Sequence, residues 1–149
     1  AGIMHDNFRL SNLDYGHIMD CAFILERDVN AYEKILRLAA FNVFAHNRDD
    51  HSKNISFLMN ATGHWKVAPA YDLTFSSSIH GMHSTMISGE SANPTKQHLI
   101  DLANYFKIKN GSYIIDEIQE VIYNWKNYAN QCNISADSKN RIQKVIGKK

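Results

Sequence analysis

Two cysteines, two prolines and seven scattered glycines are all that this 149-residue chain holds of the residues that staple, kink or loosen a backbone. Cys21 and Cys132 stand alone, with neither CxxC spacing nor the density of a disulfide framework, which suits a reducing cytosol and excludes a stapled secreted scaffold. No apolar run approaches the ~20 residues of a membrane-spanning helix, and the opening Ala1-Gly2-Ile3-Met4-His5-Asp6 lacks the charged and apolar regions of a signal peptide. An excess of one charge is missing too. Sixteen Lys and Arg against fifteen Asp and Glu leave a net charge of +1, so no basic stripe marks a nucleic-acid footprint. These absences predict a cytoplasmic chain that makes no direct contact with nucleic acid or membrane.

What is present is ordinary globular material: 44% hydrophobic and 21% charged residues over a length that suits a single domain, 1–149. Apolar spacing predicts a helix over 13–27. Asp28 then caps a second helix over about 29–46, whose second half, Leu36 to Ala45, is apolar nearly all round and belongs in the middle of a core. Residues 55–59 and 64–68 are β-rich and flank the turn Asn60-Ala61-Thr62-Gly63, which predicts a β-hairpin. A long loop follows over 75–95, with a short strand near 83–87. Three further helices are expected over 95–107, 112–130 and 135–146, capped by Thr95, Ser112 and Ser135, with Asn110-Gly111 as a helix stop. The fold class is mainly α with one β-hairpin.

The chemistry concentrates in Asp49-Asp50-His51-Ser52-Lys53-Asn54 and in Asp72, just beyond the hairpin. Phosphoryl transfer asks a protein for a carboxylate that orients the attacking hydroxyl and for hard oxygen ligands to a magnesium ion on the phosphates. Asp49 can supply the first, and Asn54 with Asp72 the second. The hairpin explains how residues eighteen positions apart return to one place, since antiparallel strands bring their two bases together. Lys53 can offset phosphate charge. His51 can hold the loop by hydrogen bonds or touch a phosphate.

Two other readings compete. Asp49, Asp50 and His51, with His80 and His83, offer ligands for a metal hydrolase, but no HExxH or paired CxxC accompanies them. Trp65, Tyr71, Phe75, Tyr113, Tyr123, Trp125 and Tyr128 offer stacking surfaces, yet without interleaved basic residues they read as core.

The run Phe41-Asn42-Val43-Phe44-Ala45-His46-Asn47-Arg48-Asp49-Asp50-His51-Ser52-Lys53-Asn54, followed by Ala68-Pro69-Ala70-Tyr71-Asp72-Leu73-Thr74-Phe75-Ser76, resembles the C-terminal domain of HipA-type toxin kinases. His5-Asp6-Asn7-Phe8-Arg9 and Gly81-Met82-His83-Ser84-Thr85 extend the resemblance over most of residues 3–105. It implies the α-rich C-lobe of a protein-kinase-like fold and transfer of phosphate from ATP, with Mg2+, to protein serine or threonine. Carried over by position, Asp49 is the catalytic aspartate and Asn54 and Asp72 are the magnesium ligands, with His51 and Lys53 in the same loop. The resemblance also implies a toxin-antitoxin pair with a DNA-binding antitoxin as partner.

A complete kinase of this type also needs a phosphate-covering loop and a strand-borne lysine in an N-terminal lobe. The glycines never cluster, so that lobe is expected to be absent from these residues, and the isolated chain to be weakly active or inactive. A kinase-shaped binding module without catalysis and a small-molecule kinase are the alternatives.

Overall fold

Asp14 opens the first helix by a reciprocal cap. Its Oδ1 accepts the Gly16 N–H at 2.8 Å while His17 Nδ1 accepts the Asp14 N–H at 3.1 Å, satisfying amides that a helix start leaves without intrahelical partners. Helix α1 (Tyr15–Glu26) ends where Arg27 takes a left-handed φ of 55°. The computed structural model describes residues 1–7, 11–78 and 81–146. His80, together with Phe8 and Arg9 of the resemblance segment, lies outside them.

Helix α2 (Asn30–Phe44) is the central element, burying Ala31, Ile35, Leu36, Ala39, Ala40, Val43 and Phe44. Helix α1 packs on it, as do α3 (Lys96–Tyr105) and α4 (Gly111–Tyr123). The small residues on its surface let these neighbours approach. The N-cap of this helix is Val29 rather than the expected Asp28, whose Oδ1 still accepts the Asn30 N–H at 2.9 Å just before the first turn.

The hairpin forms as expected, with β1 (Phe57–Met59) antiparallel to β2 (Trp65–Val67) and Phe57 opposite Val67. Asn60 Oδ1 accepts the N–H groups of Thr62 and His64, and Gly63 supplies a φ of 81°. A two-stranded ribbon is marginal alone. Here Glu26 Oε2, at the end of α1, accepts the Val67 N–H at 3.0 Å and docks the ribbon.

Several expectations change. Helix α2 stops at Phe44, two residues before His46, for reasons given below. The single helix expected over 112–130 is two, α4 and α5 (Trp125–Gln131), because Asn124 Nδ2 donates to the Glu120 carbonyl at 3.1 Å and takes up a helical acceptor at the break. Helix α4 also starts one residue early, with Asn110 rather than Ser112 as its cap, and Gly111 sits against α3, where an added Cβ would lie 2.6 Å from Ala103 Cβ. Helix α6 (Ala136–Ile146) follows Ser135, whose Oγ accepts the Ser138 N–H at 3.3 Å.

No strand forms over 83–87. Met86 and Ile87 make isolated bridges to Asp14 and Glu90 instead. Among the described residues, no helix is long and apolar enough to cross a membrane.

Candidate active site

The loop that carries Asp49 begins with a helix stop built without glycine. His46 takes a φ of 55°, its N–H reaches the Val43 carbonyl at 3.4 Å, and the Asn47 N–H reaches the Asn42 carbonyl at 2.9 Å. This paired closure satisfies carbonyls that the end of α2 would leave open. It also folds Asn47 back over Asn42, and the two side chains join, Asn47 Nδ2 donating to Asn42 Oδ1 at 3.0 Å.

From there the chain is tied to the segment after Asp72. The Ser76 N–H donates to the His46 carbonyl at 3.0 Å and the Arg48 N–H to the Ser76 carbonyl at 2.9 Å. Asn47 Nδ2 donates a second time, to the Asp72 carbonyl at 3.3 Å. Asp72 itself holds a left-handed φ of 55°.

Asp50 is the buried anchor of the loop. Its side chain is fully enclosed, and a carboxylate there is tolerable only if its oxygens are well supplied with donors. They are: Oδ1 accepts the N–H groups of Ser84 at 2.8 Å and Thr85 at 3.3 Å, while Oδ2 lies 2.9 Å from His83 Nδ1 and 3.3 Å from the Tyr15 hydroxyl. The Thr85 hydroxyl donates to the Asp50 carbonyl at 2.6 Å. Burial first, and the Asp50 charge second, push the Tyr15 phenol well above its ordinary pKa. Tyr15 therefore stays protonated, donates to Asp50 and accepts from Asn42 Nδ2 at 2.7 Å.

Of the residues singled out from the sequence, His51, Asn54 and Asp72 line one shallow depression, together with Tyr15, Asn42, Asn47, Asp50 and Tyr71. The Tyr71 hydroxyl donates to the Lys53 carbonyl and ties the two bases of the hairpin. Asp49 lies at the edge with its carboxylate more than half exposed, 3.8 Å from His51 Nε2. Asn54 Nδ2 donates to the Asp49 carbonyl at 3.0 Å, so Oδ1 is the atom that remains for a cation. Lys53 is exposed and its side chain is not on the wall of the depression.

Asn54 and Asp72 offer hard oxygen donors and too few of them for an all-protein cage, which fits magnesium completed by phosphate oxygens and water. Among the described residues no group of three His, Cys, Asp or Glu side chains could hold a metal ion. His83 gives its Nδ1 to the enclosed Asp50 carboxylate and its side chain is fully buried, and His80 lies outside the described residues, so the hydrolase reading finds no assembled ligand set among them.

The sequence model of the HipA-like C-terminal domain matches residues 2–145. The chain belongs to this family. No curated protein matches the chain. Membership in the HipA-like, kinase-related family accounts for the architecture described above, an α-rich lobe with one hairpin at the site. Tyr15, Asn42, Asn47 and Asp50, to none of which the kinase reading of the sequence gave a role, line the same depression, and His83 backs Asp50. One signal could have exposed part of that lining, since Asn42 is the lone polar residue in the apolar run from Leu38 to Ala45.

Proposed function

We propose that this HipA-like domain is the catalytic lobe of a serine/threonine protein kinase of a bacterial toxin-antitoxin system, which moves the γ-phosphate of ATP to a protein hydroxyl. The observation that carries the reading is the gathering of Asn54 and Asp72 around one depression with Asp49 at its edge.

In that reaction the Asp49 carboxylate orients the acceptor hydroxyl and takes its proton as the new oxygen–phosphorus bond forms and the bond to ADP breaks. His51, beside Asp49, steadies that carboxylate. Asn54 Oδ1 and the Asp72 carboxylate would hold Mg2+, which when bound would neutralise charge on the phosphates. Lys53 adds a cation at the mouth. An N-terminal kinase lobe supplies the other wall of the nucleotide cleft. A net charge of +1 without a basic stripe leaves DNA contact to an antitoxin partner in the cytoplasm.

The test is transfer of labelled phosphate from ATP in the presence of Mg2+, by the chain alone and joined to an N-terminal kinase lobe. The chain alone transfers poorly, the joined protein phosphorylates serine or threonine, and Asp49→Asn abolishes the signal. Incorporation by Asp49→Asn at the wild-type rate removes Asp49 from the role. Absence of transfer in every combination, with no response to Mg2+ or nucleotide, leaves a kinase-shaped binding module. Phosphate found only on a small-molecule acceptor replaces the protein substrate.

A further inference from the structure

The hydrogen bonds beneath the depression have only one consistent direction. An ionised Asp50 can only accept, so the Tyr15 hydroxyl, which has one proton, must donate to it. The Tyr15 oxygen must then accept from Asn42, which turns Asn42 Nδ2 toward Tyr15 and Oδ1 toward Asn47. Asn47 must answer with its nitrogen, and the second proton of that nitrogen reaches the Asp72 carbonyl. This orientation leaves Asn47 Oδ1 buried and without a partner among the described residues, a cost accepted because both neighbours of the nitrogen are acceptors. A hydroxyl in the same place has one proton and could serve only one of them.

We infer that Asn47, oriented through Asn42 and Tyr15 by the Asp50 charge, is a positioning residue that holds Asp72 in its left-handed conformation and so aims the Asp72 carboxylate at the ion shared with Asn54. The inference rests on the phosphotransfer reading of that site. Asp72 is exposed and sits in a backbone region that costs a residue with a Cβ. The Asn47 bond arrives from the rigid side, because Asn47 is 2% exposed and is closed onto α2 by main chain and side chain together. Partners that orient a metal ligand without touching the metal typically change affinity 10- to 100-fold when removed.

The experiment uses the whole chain labelled with 15N and 13C, in wild-type form and as Asn47→Ala, Tyr15→Phe and Ile115→Ala. Without metal, the Asp72 carbonyl resonance moves in Asn47→Ala. During titration with Mg2+ in the presence of ADP, the Asn54 and Asp72 amide shifts in Asn47→Ala reach their midpoint at about 10-fold higher Mg2+. Tyr15→Phe, which loses a single oxygen and keeps the packed ring, moves both readouts in the same direction by less. Ile115→Ala, a core truncation on α4, lowers the melting temperature and leaves both readouts in place. A wild type that titrates beside an Asn47→Ala and a Tyr15→Phe with the same midpoint overturns the inference and leaves the magnesium reading standing. A wild type that does not respond to Mg2+ overturns the reading, and the inference with it.

Discussion

Tyr15 and Asp50 lie thirty-five positions apart and meet inside the core, where the phenol donates to the carboxylate at 3.3 Å. Removing the carboxylate strands four donors at once: the Tyr15 hydroxyl, His83 and the main-chain N–H groups of Ser84 and Thr85. Asp50→Ala should cost about 3–5 kcal/mol, the range for breaking a buried charged contact. In a domain of this size 1 kcal/mol moves the melting temperature by about 2–4 °C, so calorimetry should show a fall of at least about 6 °C. Tyr15→Phe, which removes one hydroxyl, should cost only about 1–2 kcal/mol. An Asp50→Ala chain that melts with the wild type would show that the pinned loop over 83–85 adds nothing to stability.

Gly111 and Ala103 are packed with no room for another carbon. Alanine normally favours a helix over glycine by about 1 kcal/mol, but a Cβ at 2.6 Å from Ala103 Cβ has to push α3 away from α4. Overpacking of this kind costs about 1–3 kcal/mol, so Gly111→Ala should be destabilising in urea unfolding despite its better propensity. The pair is reciprocal. Adding Ala103→Gly to Gly111→Ala should recover most of the loss, and additive effects in the double variant would rule out the clash as its cause.

What could be read in advance was whatever acts over a few residues. The Ser135 cap and the Asn60 to Gly63 turn each work within five positions, and α6 and the hairpin formed as expected. The end of α2 was not legible, because Ala45 continues the helical pattern and the stop comes from His46 at positive φ, held by Ser76 thirty positions away. Asn124 breaks a pattern that is helical on both sides. At the site, Asp49, Asn54 and Asp72 stand out in the sequence by their spacing, and the fold brings Asn54 and Asp72 to one depression. In the sequence Asp50 is simply a second acid beside Asp49. Its partners at 15, 83, 84 and 85 are distant in sequence, and nothing local separates a buried aspartate from an exposed one.

Glu26 joins three elements, since it accepts from Val67 N–H at 3.0 Å and pairs with Lys34 while closing α1. Burial pulls its pKa up, but the Lys34 ion pair and the Val67 hydrogen bond outweigh that and hold it below the ordinary glutamate value. A lowered pKa in the folded state makes the contribution complete above the unfolded value, about 4.3, and removes it as pH falls through the folded one. Wild-type stability should therefore decline as the pH falls below the unfolded glutamate value, about 4.3, and Glu26→Gln should decline less over the same range. Protection of the Val67 amide against hydrogen exchange should fall in step in the wild type. Parallel pH profiles for the two proteins would remove Glu26 as the clamp of the hairpin.

Asp72 separates stability from function most sharply. Its φ of 55° lies where a Cβ is penalised, a penalty that aspartate and asparagine bear better than most residues and glycine does not bear at all. Asp72→Asn should keep the fold within about 0.5 kcal/mol of the wild type. Asp72→Gly gains relief from strain and loses some of it to a freer unfolded chain, so it should fall within about 1 kcal/mol. Asp72→Val, β-branched and forced to positive φ, should cost about 1–3 kcal/mol. None of the three keeps the carboxylate charge, so if Asp72 holds the ion, all three should weaken the Mg2+-dependent shifts at Asn54 whatever their stability, Gly and Val most because they offer no side-chain oxygen. Loss of ion response that follows the oxygen and charge removed rather than the change in folding is what a ligand produces and a structural residue cannot. A retained Mg2+ midpoint in Asp72→Asn or Asp72→Gly would take Asp72 out of the metal site.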